Sequence, residues 1–384
     1  MKKIYLDNAA TTPVHPKVIE KMLPFFSDYF GNPSSIHSFG RKAKVAIEEA
    51  RETIAGFLNC EPSEIYFTSG GTEANNFLLS GIMETNYNDT RRNLLITSKA
   101  EHDSVLKTAE KIGKSFNVKF ISPDKNGDFP DTYSDLFSDP NLSLVSLMMT
   151  NNETGIKTDL VKFVELAKEN GSFFHTDAVQ SFGKEKIDLK KLNVDALTAS
   201  AHKIGGPKGT GLAFVRTGTP VSPLILGGAQ ERNRRGGTEN VAGIVGFAEA
   251  VKIVGDVMEE NSAKVQSLRN LLRDGISSID GEFIKINEGR NQSPYVLSIT
   301  LSPEKYKTDT ESILMFLDIN GIAASAGSAC TSGTVKPSHV ITAMGHEKNY
   351  AAGTIRFSFA PSNTNEEIYY TLDVLKKLTV KFKK

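Results

Sequence analysis

Short apolar runs alternate with amphipathic stretches through the first two thirds of the chain. The runs are rich in β-branched and aromatic residues, whereas the stretches between them repeat apolar residues at helical spacing. The predicted strands are residues 64–68, 93–97, 118–121, 142–149, 172–175, 196–199 and 211–216. The predicted helices are residues 72–83, 103–112 and 159–168. This alternation predicts an α/β fold with a mostly parallel sheet covered by helices on both faces.

The last third of the chain has a different pattern. Residues 241–276 predict one long helix that leads out of the first domain. The elements predicted beyond it are strands at 295–301 and 354–359, a helix at 310–320 and a last helix from Glu366. This arrangement indicates a smaller α+β domain. We therefore expect a large domain at 14–258 and a small domain formed by 1–13 together with 259–384.

Composition narrows the class of protein. Lys and Arg together number 45, as do Asp and Glu, so the formal net charge is +0, which argues against a general affinity for nucleic acid or anionic membranes. No apolar run approaches the ~20 residues of a membrane span, and the first residues lack the apolar region of a signal peptide. Two cysteines make no disulfide framework, which fits a reducing compartment. We expect a soluble cytoplasmic protein that binds neither nucleic acid nor membrane directly.

An acid at the end of one predicted strand and a lysine after the next are a pair typical of pyridoxal phosphate (PLP) sites. Lys203 can hold the PLP aldehyde as a Schiff base, and Asp177 can pair with the pyridinium nitrogen and keep it protonated. Taken alone, Asp177 also fits a solvated loop acid, and Lys203 also fits a surface lysine. Their places on successive strand ends favour a cofactor site, because parallel sheets bind ligands beyond the carboxyl ends of their strands.

Two turns offer groups that could hold the phosphate of such a cofactor. Gly71 and Thr72 lie between a predicted strand and a helix, where backbone N–H groups and the helix dipole attract an anion. Glycine turns of this kind also occur for packing alone. Ser200 and His202 lie beside the lysine and offer a hydroxyl and an imidazole. The glycine spacing at 70–71 is not that of a dinucleotide-binding fingerprint.

Three polar residues lie at or after other predicted strand ends. His102 fits either a polar residue at a helix start or an imidazole that stacks on the cofactor and moves protons near neutral pH. Asn152 carries an amide that can donate to the phenolic oxygen of PLP. We interpret His175 as structural, since no carboxylate or cysteine at metal-ligand spacing accompanies it. We predict no metal site.

The two cysteines have different surroundings. Cys330 lies among small residues at 325–333 that cannot bury it well, so we predict an accessible thiol that becomes nucleophilic when its thiolate is stabilised. Buried packing is the commoner role of a free cysteine, and Cys60 fits that role. Arg356 lies on an otherwise apolar strand and needs an anionic partner, such as a substrate carboxylate. Three arginines among glycines at 227–238 suit an anion or a subunit interface better than nucleic acid.

Several of these motifs occur together, in order, in one known family. They are Tyr-Leu-Asp-Asn-Ala-Ala-Thr-Thr at 5–12, Gly-Asn-Pro-Ser-Ser-Ile-His at 31–37, Asp-Ala-Val-Gln at 177–180, Ser-Ala-His-Lys at 200–203 and Gly-Ser-Ala-Cys-Thr-Ser at 327–332. With them the chain resembles the cysteine desulfurases of the NifS/IscS type over nearly its whole length. The resemblance implies a class-V aminotransferase of PLP fold type I, similar to aspartate aminotransferase, with a seven-stranded sheet and a homodimeric assembly. It also implies a PLP-dependent enzyme that takes sulfur from L-cysteine and leaves L-alanine.

The same resemblance implies how the cofactor is held. It makes Lys203 the Schiff-base lysine, Asp177 the pyridinium partner and His102 the stacking acid–base residue. The residues that would bind the phosphate are Gly71, Thr72, Ser200 and His202, with Thr238 supplied by the neighbouring subunit. The residues that would contact the ring are Asn152 and Gln180.

The resemblance also implies how the substrate and its sulfur are handled. Arg356, together with Asn32, would hold the substrate carboxylate. Cys330 would attack the substrate sulfur, carry it as a persulfide and pass it to an acceptor protein. That acceptor would be an iron–sulfur cluster scaffold or a tRNA thiolation enzyme.

Two other classes of protein remain open on the sequence. One is another fold-type I PLP enzyme, either an aminotransferase or a selenocysteine lyase. Cys330 argues against the first, and the length of the loop at 325–339 argues against the second. The other class is a non-enzymatic protein with a degenerate site, against which the presence of Lys203, Asp177 and His102 argues.

Overall fold

The computed structural model describes residues 3–327 and 336–384. The strands are β1 (Ile4–Tyr5), β2 (Ile65–Thr68), β3 (Leu94–Ser98), β4 (Asn117–Ile121), β5 (Leu142–Ser146), β6 (Phe173–Asp177), β7 (Ala196–Ser200), β8 (Gly211–Val215), β9 (Ile284–Ile286), β10 (Val296–Leu301), β11 (Ile322–Ala323) and β12 (Thr354–Ser358). The helices are α1 (Pro16–Met22), α2 (Pro24–Ser27), α3 (Ser38–Leu58), α4 (Gly71–Thr90), α5 (Asp103–Ile112), α6 (Leu160–Glu169), α7 (Leu189–Leu192), α8 (Val241–Asp280), α9 (Thr310–Ile319), α10 (His339–Ala343), α11 (Lys348–Ala351) and α12 (Asn365–Lys381).

The large sheet has seven strands in the order β2-β8-β7-β6-β5-β3-β4. Neighbouring strands from β7 to β4 run parallel, whereas β8 runs antiparallel to both β7 and β2. The predicted seven-stranded, mostly parallel sheet is therefore confirmed. Because β2, β3, β5, β6 and β7 point the same way, their carboxyl ends meet at one edge of the sheet.

Helices cover both faces of this sheet. Adjacent residues of a strand point to opposite faces, and Leu144 and Val145 of β5 accordingly lie in different apolar clusters. Val145 packs with residues of α3, α6 and the first part of α8, whereas Leu144 packs with residues of α4 and α5. Strands buried on both faces appear in the sequence as nearly continuous apolar runs, which explains why the sequence pattern identified them.

A second, antiparallel sheet has the strand order β12-β10-β9. It packs against the second part of α8 and against α9 and α12 in its own apolar cluster. The start of the chain joins this unit, because β1 pairs in parallel with β11. Helix α12 begins with a reciprocal capping box, in which Thr364 accepts from the Glu367 backbone N–H and the Glu367 carboxylate accepts from the Thr364 N–H.

Helix α8 is continuous and contributes to both clusters. Ile244 and Phe247 lie in the core beside the large sheet, whereas Leu268 and Leu272 lie in the core beside the small sheet. The boundary expected at 258–259 falls inside this helix, and the division into two domains stays a prediction. Helix α3, which the alternating pattern did not predict, packs along α8 and buries Ile47 and Ile54. No helix in the described part of the chain has the length and apolar character needed to cross a membrane.

Candidate active site

The carboxyl ends of the parallel strands open onto a cleft of about 320 Å³. The predicted site residues that line it are Gly71, Thr72, His102, Asn152, Asp177, Gln180, Ser200, His202, Lys203 and Arg356. Each follows or ends a strand, except Arg356, which lies within β12. The geometry of the sheet thus gathers residues that are far apart in the sequence.

Asp177 ends β6 and is buried at the floor of the cleft. Its Oδ1 accepts a hydrogen bond from the Val179 backbone N–H at 2.9 Å, and its Oδ2 accepts one from Asn75 Nδ2 at 2.8 Å. Together the two donors fix the plane of the carboxyl group. A fixed buried carboxylate of this kind fits a protonated pyridinium nitrogen, because that nitrogen is a cation that needs an anionic partner.

Lys203 lies on the single 3-10 turn that follows β7. Its Nζ donates to the backbone carbonyls of Ala9 at 2.6 Å and Ala10 at 2.7 Å. Burial, reinforced by the nearby Arg356 cation, lowers the pKa of Lys203 to about 8, although Asp177 and Asp7 oppose that change. A lowered pKa makes the amine a nucleophile near neutral pH, as attachment to an aldehyde requires.

His102 caps the start of helix α5. Its Nδ1 accepts from the Ser104 backbone N–H at 3.1 Å and lies 2.8 Å from Ser104 Oγ. Because Nδ1 accepts a backbone hydrogen bond, the neutral ring carries its proton on Nε2. The residue therefore fills both of the roles that the sequence left open: it caps a helix and it lines the cleft.

The glycines before helix α4 let its first turn approach the cleft closely. Gly70 has a φ of +153°, which disfavours side chains, and a Cβ at Gly71 would lie 2.9 Å from a methyl of Val179. Free N–H groups of a helix start attract anions. His202 lines the same cleft, and burial lowers its pKa to about 4, with contributions from neighbouring lysines. A neutral imidazole there can donate to a phosphate oxygen.

Arg356 has partners within the protein. Its Nη2 donates to Asp7 Oδ1 at 2.7 Å, and its Nη1 donates to the Asn152 carbonyl at 2.9 Å. The sequence predicts that Arg356 needs an anionic partner, but it does not identify Asp7 as that partner. Three buried side-chain atoms at this place have no hydrogen-bond partner among the described residues: Arg356 Nε, Asn152 Oδ1 and Glu153 Oε1. Buried polar atoms are nearly always paired, so a bound cofactor and substrate fit this cleft.

Three predicted residues are not part of the cleft as the structure describes it. Thr238 is exposed and lines a separate pocket with Glu231 and Arg235. Asn32 is also exposed, and its Oδ1 accepts from the Ser34 backbone N–H at 2.9 Å. Cys330 lies outside the described residues.

The structure adds residues that the motifs did not reveal. Asn75 holds Asp177, and Glu153 and His339 line the cleft beside Arg356. Asn75 follows Gly71 by four positions and so lies on the same face of α4, a signal that was present in the sequence. His339 carried no such signal, since it meets Glu153 from 186 residues further along the chain.

Two candidate residues have structural surroundings. His175 is fully buried, with Nδ1 2.9 Å from Ser146 Oγ and Nε2 3.2 Å from Thr198 Oγ1. Burial lowers the pKa of His175 to about 3, so the ring is neutral. Cys60 packs partly buried against the large core, where burial raises the pKa of its thiol to about 12. A thiol that stays protonated is a poor nucleophile.

Comparison with known proteins agrees with this geometry. The profile of the family described as aminotransferase class-V matches residues 4–370. A putative cysteine desulfurase IscS 1 of Bacillus subtilis (strain 168) is 42% identical, over 99% of this chain and 100% of the relative. A solved NifS-like protein superposes with a TM-score of 0.89 at 34% identity, over 99% of this chain and 100% of the other. A structure described as SspA in complex with cysteine gives a TM-score of 0.79 at 34% identity, over 94% and 100% of the two chains.

The chain belongs to the aminotransferase class-V family, whose members are PLP-dependent enzymes. Within that family it belongs with the cysteine desulfurases, at about 40% identity over its full length. The fold is that of PLP fold type I. The resemblance drawn from the motifs is thereby confirmed at the level of family, fold, cofactor and activity.

Proposed function

We propose that this desulfurase transfers the sulfur of L-cysteine to Cys330 and leaves L-alanine. The observation that carries the proposal is that the Lys203 amine, the buried Asp177 carboxylate and the Arg356 guanidinium all line one cleft. An amine for the aldehyde, an acid for the ring nitrogen and a cation for a carboxylate are what PLP and an amino acid together require. A similar protein, SspA, has been solved with cysteine bound.

Different residues of the cleft would hold different parts of the cofactor. Lys203 attaches PLP, and Asp177 neutralises the charge on the ring nitrogen. Bound PLP draws electrons from the substrate Cα, which makes the Cα proton acidic and weakens the bond to sulfur. The residues that contact the phosphate in this proposal are Gly71, Thr72, Ser200 and His202. Asn152 and Gln180 contact the ring, and His102 stacks on it.

The substrate is oriented by its carboxylate. Arg356 has one buried nitrogen, Nε, without a partner, and its guanidinium is held rigidly by Asp7 and by the Asn152 carbonyl. A rigid planar cation binds a carboxylate in a defined direction, so cysteine enters with its Cα near Lys203. The Lys203 amine, whose pKa burial lowers to about 8, would take the Cα proton.

Cys330 completes the reaction as nucleophile. Its thiolate attacks the substrate sulfur: a sulfur–sulfur bond forms and the Cβ–sulfur bond breaks. The electron pair of the broken bond stays with the carbon skeleton, which takes up a proton and leaves as alanine. The persulfide on Cys330 then passes to an acceptor protein, which we propose is an iron–sulfur scaffold or a tRNA thiolation enzyme in the cytoplasm.

We also propose that the working unit is a homodimer. Thr238 is exposed and lies apart from the cleft of its own chain, which is the placement needed for a residue that completes the phosphate site of a partner.

The experiment that tests the proposed function compares two cysteine variants. The PLP-loaded protein is given L-cysteine in two parallel reactions. Alanine is measured by chromatography with a reductant present to regenerate the thiol, and persulfide is mapped by mass spectrometry with no reductant, because a reductant would cleave it. We expect persulfide on Cys330 in the wild type, and neither persulfide nor alanine in Cys330→Ala. The control, Cys60→Ala, should keep full activity, because burial holds the Cys60 thiol protonated. Alanine release by Cys330→Ala at the wild-type rate would refute the persulfide mechanism.

A further inference from the structure

Glu153 is a buried carboxylate on the cleft wall whose role neither the motifs nor the proposed mechanism explains. It follows Asn152, only 1% of its surface is exposed, and its backbone N–H donates to Asn151 Oδ1 at 2.9 Å. A charged group is rarely buried to this extent without a specific task. The contacts of the Glu153 carboxylate indicate what this residue does.

The carboxylate of Glu153 touches both ends of the segment that carries Cys330. On one side, Gly327 lies so close that a Cβ at this position would overlap Glu153 Oε2. On the other side, the Ser338 hydroxyl donates to the same Oε2. Ser338 is 2% exposed, and its Oγ accepts from the Ile341 backbone N–H at 3.1 Å. With its acceptor role thus filled, the hydroxyl directs its proton at Glu153.

His339 adds a second contact on the same side. Its Nε2 lies 2.9 Å from the Glu101 carbonyl, which can only accept, so Nε2 carries a proton. Its Nδ1 lies 3.6 Å from Glu153 Oε1, which has no hydrogen-bond partner among the described residues. Burial raises the pKa of Glu153, whereas His339, Ser338 and Arg356 oppose that rise. Of these neighbours, Ser338 is the one that donates a hydrogen bond to the carboxylate.

Ser325, which precedes this segment, is also bonded to β12, the strand that carries Arg356. Ser325 and Arg356 exchange backbone hydrogen bonds, from Arg356 N to Ser325 O at 2.7 Å and from Ser325 N to Arg356 O at 3.2 Å. Glu153 therefore adjoins the residues proposed to hold the cofactor ring and the substrate carboxylate, and at the same time contacts residues 327 and 338.

From these contacts we infer that Glu153 is a positioning residue that holds Gly327 and Ser338 at the cleft wall and thereby sets the rate of sulfur transfer to Cys330. The inference rests on the proposed role of Cys330. Cys330 follows Gly327 by three residues in the sequence, so the position of Gly327 limits how far Cys330 can lie from the cleft. The effective concentration of an attached nucleophile depends on that distance. Binding of PLP and loss of the substrate Cα proton precede that transfer and do not require Glu153.

The test separates these two stages. Glu153→Ala is loaded with PLP and given L-cysteine in deuterated solvent. Exchange of the Cα proton is followed by NMR, and alanine release is measured in parallel. We expect exchange at the wild-type rate and alanine release reduced roughly ten-fold or more. Glu153→Gln should restore part of the alanine release, because its amide oxygen can still accept from Ser338.

Two further variants keep the inference falsifiable. Ser338→Ala removes the hydroxyl that donates to Glu153 and leaves Glu153 itself in place. It should therefore also keep proton exchange at the wild-type rate and lower alanine release, even if Glu153→Ala folds poorly. Glu64→Ala is the control: Glu64 is also buried and accepts backbone hydrogen bonds from Glu61 and Thr217, but it does not line the cleft. Glu64→Ala should change the thermal stability but not the ratio of the proton-exchange rate to the rate of alanine release.

Either of two results would overturn the inference. One is a fall in exchange and alanine release by the same factor in Glu153→Ala and Ser338→Ala. The other is no change in either rate. Failure of the proposed function itself looks different, since the wild type would then form no persulfide on Cys330.

Discussion

Gln180 and Lys203 donate hydrogen bonds to the same oxygen, the backbone carbonyl of Ala9. The Gln180 Nε2 bond measures 2.9 Å and the Lys203 Nζ bond measures 2.6 Å. Ala9 lies in the segment between β1 and α1, which the sequence did not connect with the lysine. The segment between β1 and α1 therefore holds in place the Lys203 amine, which we propose attaches the cofactor.

Lys203→Ala should abolish desulfuration. The remaining side chains of the cleft can still hold PLP by its phosphate and ring, but no amine is left to attach it. We expect the visible band of attached PLP to be missing and PLP to be lost on dialysis. Borohydride reduction of the wild type followed by peptide mapping should label Lys203; a label on another lysine would show this assignment to be wrong.

Attachment of PLP to the cofactor-free protein should depend on pH in a defined way. Only the neutral amine reacts with an aldehyde, and the pKa of Lys203 is lowered from 10.5 to about 8. The rate should therefore rise with pH and level off above about pH 8, as followed by stopped-flow absorbance. Removing the nearby cation in Arg356→Gln raises the pKa of Lys203, so the plateau should move to higher pH. A wild-type rate that keeps rising towards pH 10 would contradict the lowered pKa.

Asn75 should be needed for cofactor affinity, because it donates to the carboxylate proposed to hold the ring. Asn75→Ala leaves Asp177 with one donor fewer, and we expect the Kd for PLP to rise about ten-fold, a loss near 1.4 kcal/mol. Asp177→Asn should weaken PLP binding further. The matched control is Asn86→Ala, since Asn86 is also buried on α4 and donates to Ser143 Oγ at 2.8 Å, as Asn75 does to Ser104 Oγ.

Asn86→Ala should lower the free energy of unfolding by about 1–2 kcal/mol and leave the Kd for PLP unchanged. Fluorescence titration with PLP and urea unfolding measure the two quantities separately. Equal effects of the two substitutions on PLP binding would show that Asn75 acts through stability alone.

Thr238 should act on the partner's site. Lys203→Ala and Thr238→Glu homodimers are both expected to be inactive, the second because a carboxylate repels the cofactor phosphate. Mixed dimers would contain one site with both defects and one with neither, so mixing the two proteins under conditions that exchange subunits should restore activity. No recovery in mixed dimers purified by two tags would count against the shared site.

The sequence predicted the parts of the site that depend on local order along the chain. Asp177 ends one strand and Lys203 lies on the short turn after the next. Parallel strands bring such positions together, however the connecting loops are built. Contacts made between distant segments could not be predicted in this way. Asp7 meets Arg356 across 349 positions, and Ser338 meets Glu153 across 185. Asp7 and Arg356 meet because the start of the chain pairs within the small unit, where Asp7 bridges Ser358. Ser338 and Glu153 meet where α10 packs against the segments that follow β3 and β5. No periodicity in the sequence records either contact.

Helix α3 was missed for a different reason. Much of its surface is polar, and its buried face includes alanines and a glycine besides Ile47, Ile54 and Leu58. Small buried residues carry a weak periodic signal. The two ends of α3 carry clearer signals. His37 caps the start, and Asn59 ends the helix in the left-handed conformation.

The 40-residue helix α8 joins the two apolar cores, and we expect them to unfold together. Its first part buries Ile244, Phe247 and Val251 in one core, and its second part buries Leu268 and Leu272 in the other. If either core melted alone, the helix would present bare apolar surface to water or would have to break within a continuous run of backbone hydrogen bonds. Heating in a calorimeter should therefore give one transition with no partly molten species, and cleaving the chain near the middle of α8 should leave neither half able to fold alone.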